Sequence, residues 1–85
     1  IGFRALEKNT SALYNTAVGA QVLSNNTTGV NNTAIGGVNA MLFNTEGSKN
    51  TAVGTSTLQT NSTGDCNTAV GNIALLCNTV GKTLL

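Results

Sequence analysis

The chain has no histidine, no proline and no tryptophan, and only seven of its 85 residues are charged. Its three acidic residues, Glu7, Glu46 and Asp65, lie far apart in sequence, so they offer little material for acid–base catalysis or for a zinc site. The net charge of +1 favours neither nucleic acid nor an anionic membrane surface as a partner. No apolar run approaches the roughly 18–20 residues of a membrane span. We therefore expect a non-catalytic protein with no cofactor, no metal and no membrane insertion.

The residues present in excess are 13 Asn, 14 Thr and 10 Gly, and they form a repeat. The string Asn-Thr-Ala-(Val/Ile)-Gly begins at Asn15, Asn32, Asn50 and Asn67, at intervals of 17, 18 and 17 residues. One extra residue among 37–39, which we interpret as a tolerated insertion, accounts for the longer interval. We expect a single repeat domain, 1–85, from a longer fibrous protein, with copies near 1–8, 9–25, 26–43, 44–60 and 61–77 and a partial copy at 78–85.

A period of 17 residues fits one turn of a parallel β-solenoid. Helical hairpin repeats need about 30–47 residues, and coiled coils repeat about every seven. Two strands of about five residues with two corners use about 17 residues. Each repeat is then one rung, which stacks about 4.8 Å from the next and pairs with it in parallel. The sequence predicts an all-β parallel β-solenoid, or β-roll, of about five rungs.

Strand alternation divides each Thr-Ala-Val-Gly segment into two faces. Thr16 and Val18 share one face, which we expect to line a narrow core, whereas Ala17 and Gly19 share a nearly bald face that another backbone can approach closely. A thin roll with open strand edges invites further pairing, so we expect three copies to associate through the bald face. Each of these segments follows an Asn, which is Asn15 in this repeat. The corresponding structural residues of the other three repeats are Asn32, Ile35, Gly36, Asn50, Val53, Gly54, Asn67, Val70 and Gly71.

One larger apolar residue follows the strand-ending glycine of each repeat and completes the predicted core; these residues are Leu6, Leu23, Met41, Leu58 and Leu75. Asn is expected at the corners of each rung, because it tolerates left-handed backbone conformations. Identical Asn residues stacked from rung to rung are also expected to form amide ladders.

The repeat unit Asn-Thr-Ala-Val-Gly-x-x-Ala-Leu-x-x-Asn-Thr-Thr-Gly-x-x covers almost the whole chain and resembles the repeat of fibrous surface proteins of phages, large algal viruses and many bacteria. It is similar, more distantly, to the head repeat of trimeric autotransporter adhesins, in which Thr16-Ala17-Val18-Gly19 would match a Val-Ala-Ile-Gly string. The resemblance implies a left-handed parallel β-roll packed as a trimer, in preference to an intertwined triple β-helix. It also implies attachment as the role, on a cell or virion surface.

The two cysteines, Cys66 and Cys77, occupy corner positions eleven residues apart. Free thiols, a disulfide within the rung, a disulfide between chains and a metal site are all open. Two cysteines without histidine disfavour a metal. Opposite corners of one rung lie too far apart for a bond that needs Cα atoms within about 7 Å. We favour free thiols, with an interchain bond next.

These observations predict a structural or adhesive repeat module of a trimeric extracellular fibre, with a cell-surface glycan or receptor as a candidate partner. The alternative is a carbohydrate- or ice-binding solenoid that acts through its Asn and Thr faces. Regularly spaced Thr on a flat β-surface would suit ice binding. Because alternation places Thr16 and its equivalents inward with Val18, we rank this function second.

Overall fold

The structure, a computed structural model, describes residues 1–76, which contain four β-strands and no helix. The strands are β1 Thr16–Ala20, β2 Thr33–Val38, β3 Thr51–Val53 and β4 Thr68–Val70. They form one parallel sheet in the order β1-β2-β3-β4. Equivalent residues pair, so that Thr16 lies beside Thr33 and Ala52 beside Ala69. These features confirm the predicted all-β class and the parallel pairing of successive repeats.

The extra residue of the longer repeat is absorbed within β2. Val18 pairs with Ile35, but Ala20 pairs with Val38, so three steps along β2 match two steps along β1. The irregularity is a β-bulge, which adds one residue without disturbing the pairing on either side. The extra residue therefore does not form a separate loop.

After each strand the chain turns through residues in the left-handed region. In the second repeat Gln21 and Leu23 have φ angles of 58° and 52°, and the N–H of Asn26 donates to the carbonyl of Leu23 at 3.2 Å. The turns stack, because the N–H of Leu23 donates to the carbonyl of Ala40 at 3.0 Å and that of Met41 to the carbonyl of Thr57 at 2.9 Å. Left-handed backbone is unfavourable for residues with a Cβ, so packing must hold it in place.

The core is formed by strand alanines and turn leucines. Leu23, Met41 and Leu58 are fully buried, and Leu6 and Leu75 are partly buried against the same cluster. The strand residues in this cluster are Ala17, Ala34, Ala52 and Ala69. Because the left-handed turns direct these long side chains into the narrow interior, the strands have room there only for a methyl group.

The predicted orientation of the strands is therefore wrong. Thr16 is exposed and Val18 is half-buried, while Ile35, Val53 and Val70 are 42%, 37% and 62% exposed. The Ala face, which we expected to lie outside and to bind other copies, is the face that lies inside.

Gly19 shows what approaches the alanine and glycine side of the strand. Its φ is 127°, and a Cβ added to it would collide with the carbonyl oxygen of Gly36 in the next repeat. Only glycine adopts this backbone conformation at low cost. The close backbone approach predicted from the bald face is thus made by the next repeat of the same chain.

Candidate functional site

The outer face of the sheet carries two parallel rows of side chains, which we call the Thr/Val face. Pairing of equivalent residues aligns the threonines in one row and the β-branched apolar residues in the other. The face consists of Thr16, Thr33, Thr51 and Thr68 in the first row and Val18, Ile35, Val53 and Val70 in the second. A regular lattice follows, with a spacing of about 4.8 Å between strands and about 7 Å between the two rows.

No charged side chain lies on the Thr/Val face. Among the described residues, the charged side chains Arg4, Glu7, Lys8, Glu46, Lys49 and Asp65 all lie in turns and loops. Arg4 stands over the ring of Phe3, with its guanidinium carbon 5.0 Å from the ring centre. The face is therefore uncharged and repetitive, while the charges lie elsewhere on the surface.

The first of two amide ladders runs through Asn9, Asn26, Asn44 and Asn61. Each Nδ2 donates to the Oδ1 of the Asn one repeat earlier, at 2.9 Å for Asn26 and Asn44 and 3.0 Å for Asn61. The same Nδ2 of Asn44 also donates to the carbonyl of Gly47 at 3.0 Å. These bonds confirm the prediction that stacked Asn residues form ladders.

The second ladder runs through Asn15, Asn32, Asn50 and Asn67, the first residues of the repeat string. Here the backbone N–H of each Asn donates to the Oδ1 of the preceding one, at 3.0 Å for Asn32 and Asn50 and 2.9 Å for Asn67. The side chain of Asn50 also donates to the carbonyl of Gly64 at 2.8 Å. Asn32, Asn50 and Asn67 are fully buried, so they are internal supports and not a polar surface.

Three successive N–H groups converge on one carbonyl oxygen at the loop that contains the second repeat glycine. Thr27, Thr28 and Gly29 donate to the oxygen of Thr45 at 3.0, 3.0 and 3.2 Å. The three residues that follow Asn44 bind the oxygen of Ser62 in the same way. Such a concave arrangement of N–H groups favours an oxygen atom.

The first repeat lacks this arrangement: within residues 1–76 the N–H groups of residues 10–12 make no such bonds. That repeat carries Ala12 where the next has Gly29, and a Cβ at Gly29 would collide with the carbonyl oxygen of Gly47. The missing bonds thus coincide with a methyl group at the position where the next repeat has glycine.

Cys66 lies at a left-handed corner, with φ of 60°, and its side chain is exposed. Cys77 lies outside the described residues, so the preference for free thiols, with an interchain bond next, stays a prediction. Residues 1–76 contain neither a pocket nor a group of three or more His, Cys, Asp or Glu residues that could hold a metal.

The phase of the repeat could be predicted from the sequence, but the exposure of the Thr/Val face was not. One signal was available: the residue after Thr is alanine in all four complete strings, whereas the next position holds valine three times and isoleucine once. A position that holds only alanine indicates that no larger side chain fits there, as in a tightly packed interior.

The described part of the chain contains no helix that is long and apolar enough to cross a membrane. No protein-family model, no curated protein and no solved structure matches this chain.

Proposed function

We propose that this chain is a non-catalytic structural and adhesive repeat module of a fibre on a cell or virion surface, built as a left-handed β-roll and assembled as a homotrimer. The observation that carries the proposal is the continuity of bonding from each repeat to the next. Strand pairs, stacked turns and two amide ladders all connect equivalent residues. A stack of this kind lengthens by adding repeats, with no change in the bonding between them.

Burial of the Asn ladders supports a stiff module. Asn26, Asn44 and Asn61 are completely buried, and each donates both to a neighbouring Asn and to a backbone carbonyl of its own repeat. Buried and satisfied amides resist sliding of one repeat on another, because a shift would leave several polar groups unpaired in the interior. A spacer that presents a receptor-binding surface at a distance requires this resistance.

Sedimentation equilibrium and proteolysis test the proposal together. The expected result is a species of three times the 8.6 kDa chain mass that resists protease until it is heated through its unfolding transition. A stable monomer at every concentration would exclude the trimer. Rapid cleavage inside residues 16–70 of the native protein would exclude the stiff module. Binding to host cells or to a glycan array then tests the adhesive role.

A second candidate function is binding of ice or carbohydrate. The observation that favours it is the outward position of Thr33, Thr51 and Thr68 in a regular row on the sheet, contrary to the orientation predicted from the sequence. The buried Asn ladders cannot contribute to such a surface, so the Thr row alone would carry it. Thermal hysteresis in a solution of the purified chain is the expected result for ice binding, and its absence would exclude that function.

A further inference from the structure

We propose that the Thr/Val face is the surface by which copies of this chain assemble, so that the Thr/Val faces of neighbouring copies meet and cover one another. This inference rests on the proposed function and specifies which surface of the chain its copies use to contact one another. The sequence had pointed to the alanine and glycine face as the assembly surface. That face is not free, because the chain's own core and neighbouring repeats occupy it.

The first argument is the exposure of apolar groups in one continuous row. Ile35, Val53 and Val70 lie side by side on paired strands, and all three side chains are exposed. Ile1 occupies the same phase of the repeat and is also exposed, so the row extends along the described stack. These side chains form one contiguous apolar strip rather than scattered exposed residues, so a second copy can contact them along a continuous surface.

The second argument is the match of spacing. The row forms ridges about 4.8 Å apart, with grooves of the same period between them. A partner fills more than one or two of these grooves only if its own side chains repeat at that spacing. Because a second copy of this chain has the same repeat, its side chains have the required spacing. Its ridges can therefore enter the grooves along the whole length of the row.

The third argument is electrostatic. Because the Thr/Val face carries no charged side chain, contact between two such faces buries no charge and brings no like charges together. The threonine hydroxyls at the border of the apolar row can pair with one another across the contact or remain in water. The face thus combines an apolar row with a polar, uncharged row, and protein interfaces likewise combine apolar and polar contacts.

The area of the face sets the expected strength. Four strands about 4.8 Å apart and about 13 Å long give an area of about 250 Å² on each copy, below that of a standard interface. We therefore expect assembly of this chain to depend on concentration. We also expect its strength to increase with the number of repeats, since each repeat adds the same contact.

Cross-linking through introduced cysteines tests the inference in the full chain. With Cys66→Ser and Cys77→Ser removing the native thiols, Val53→Cys places a thiol in the centre of the face. Phe43→Cys places one on an exposed turn residue away from it. A short bismaleimide is expected to join Val53→Cys chains at least about tenfold faster than Phe43→Cys chains, because assembly raises the local thiol concentration.

Two charge substitutions complete the test. Ile35→Lys, introduced beside Val53→Cys, is expected to reduce the cross-linking rate to that of Phe43→Cys. Leu13→Lys, on an exposed residue outside the face, is expected to leave the rate unchanged. Circular dichroism confirms that each variant retains its β-structure.

Equal rates for Val53→Cys and Phe43→Cys, or an Ile35→Lys variant that cross-links as fast as its parent, would overturn the inference. So would thermal hysteresis by a monomer, which would assign the face to ice. If instead the chain forms trimers that cross-link only through Phe43→Cys, the trimer of the proposed function stands and the assignment of the face is wrong.

Discussion

The side-chain nitrogen of Asn44 donates a hydrogen bond of 2.9 Å to the Oδ1 of Asn26, its equivalent in the preceding repeat. In turn, the Oδ1 of Asn44 accepts a bond of 3.0 Å from Asn61. Each amide is thus both donor and acceptor, and all three residues are fully buried. A hydrocarbon or an ionised carboxylate of similar size cannot serve both neighbours, which explains why the position holds Asn in every repeat.

Replacing Asn44 by Asp should therefore destabilise the chain strongly at neutral pH. The carboxylate would face the Oδ1 of Asn26 and the carbonyl of Gly47, both of them acceptors, and we expect a loss of about 2–4 kcal/mol. Protonation restores one donor, so the loss relative to wild type should be smaller at pH 3 than at pH 7. Urea unfolding of both proteins at the two pH values measures it.

Asn72→Asp is the matched control for this substitution. Asn72 is exposed, so its change should alter the free energy of unfolding by no more than about 0.5 kcal/mol. Equal effects of Asn44→Asp and Asn72→Asp would contradict the role assigned to the ladder.

The glycines that end the loops and strands should differ sharply from the one that lies outside the repeat phase. A Cβ at Gly47 would collide with the side chain of Asn44 and approach the carbonyl oxygen of Gly64, so Gly47→Ala should cost about 3 kcal/mol or more. A Cβ at Gly37 would meet only the hydroxyl of Thr55, at 3.1 Å. Gly37→Ala should therefore change the free energy of unfolding by less than about 1 kcal/mol. Thermal unfolding of the two variants compares them, and similar midpoints would refute the stacking described here.

The period, the parallel pairing and the Asn ladders could be predicted from the sequence, because each requires only that a residue lies beside the equivalent residue of the next repeat. The sequence did not predict which side of the strand is the interior. That choice depends on how much of the interior the next segment fills, and Leu23 fills it from a left-handed turn, with φ of 52°. Leucine is not a residue that signals left-handed backbone, so no local rule identifies this turn.

The same limit applies to the Thr/Val face. Alternation correctly placed Thr16 and Val18 together, but their side of the sheet was decided by size. Hydrophobicity favours valine inside, whereas the packed leucine row allows only Ala17 and its equivalents there. Packing outweighed hydrophobicity in this narrow core.

A pair of neighbouring substitutions in β3 tests this orientation directly. Ala52 is fully buried, so Ala52→Val should overpack the core and cost about 1–3 kcal/mol. Val53 is exposed, so Val53→Ala should cost less than about 1 kcal/mol at concentrations where the chain is monomeric. Chemical denaturation of both variants provides the comparison. The reverse order of the two costs would restore the orientation expected from alternation and hydrophobicity.

The left-handed corner before each Asn-Thr-Ala string offers a stabilising substitution. Lys49 has φ of 62° and is exposed, and its equivalents include Asn31, a residue that tolerates this conformation. Lys49→Gly removes the Cβ that makes the left-handed region unfavourable, and we expect a gain of about 0.5–1 kcal/mol, or a few degrees in Tm. Thr63 is exposed but is not left-handed, so Thr63→Gly should lower Tm by enlarging the conformational freedom of the unfolded chain. Calorimetry of both variants measures the two changes in Tm. If the corner conformation controls stability, glycine should raise Tm at position 49 and lower it at position 63. If the loss of a side chain controls stability, both changes should have the same sign.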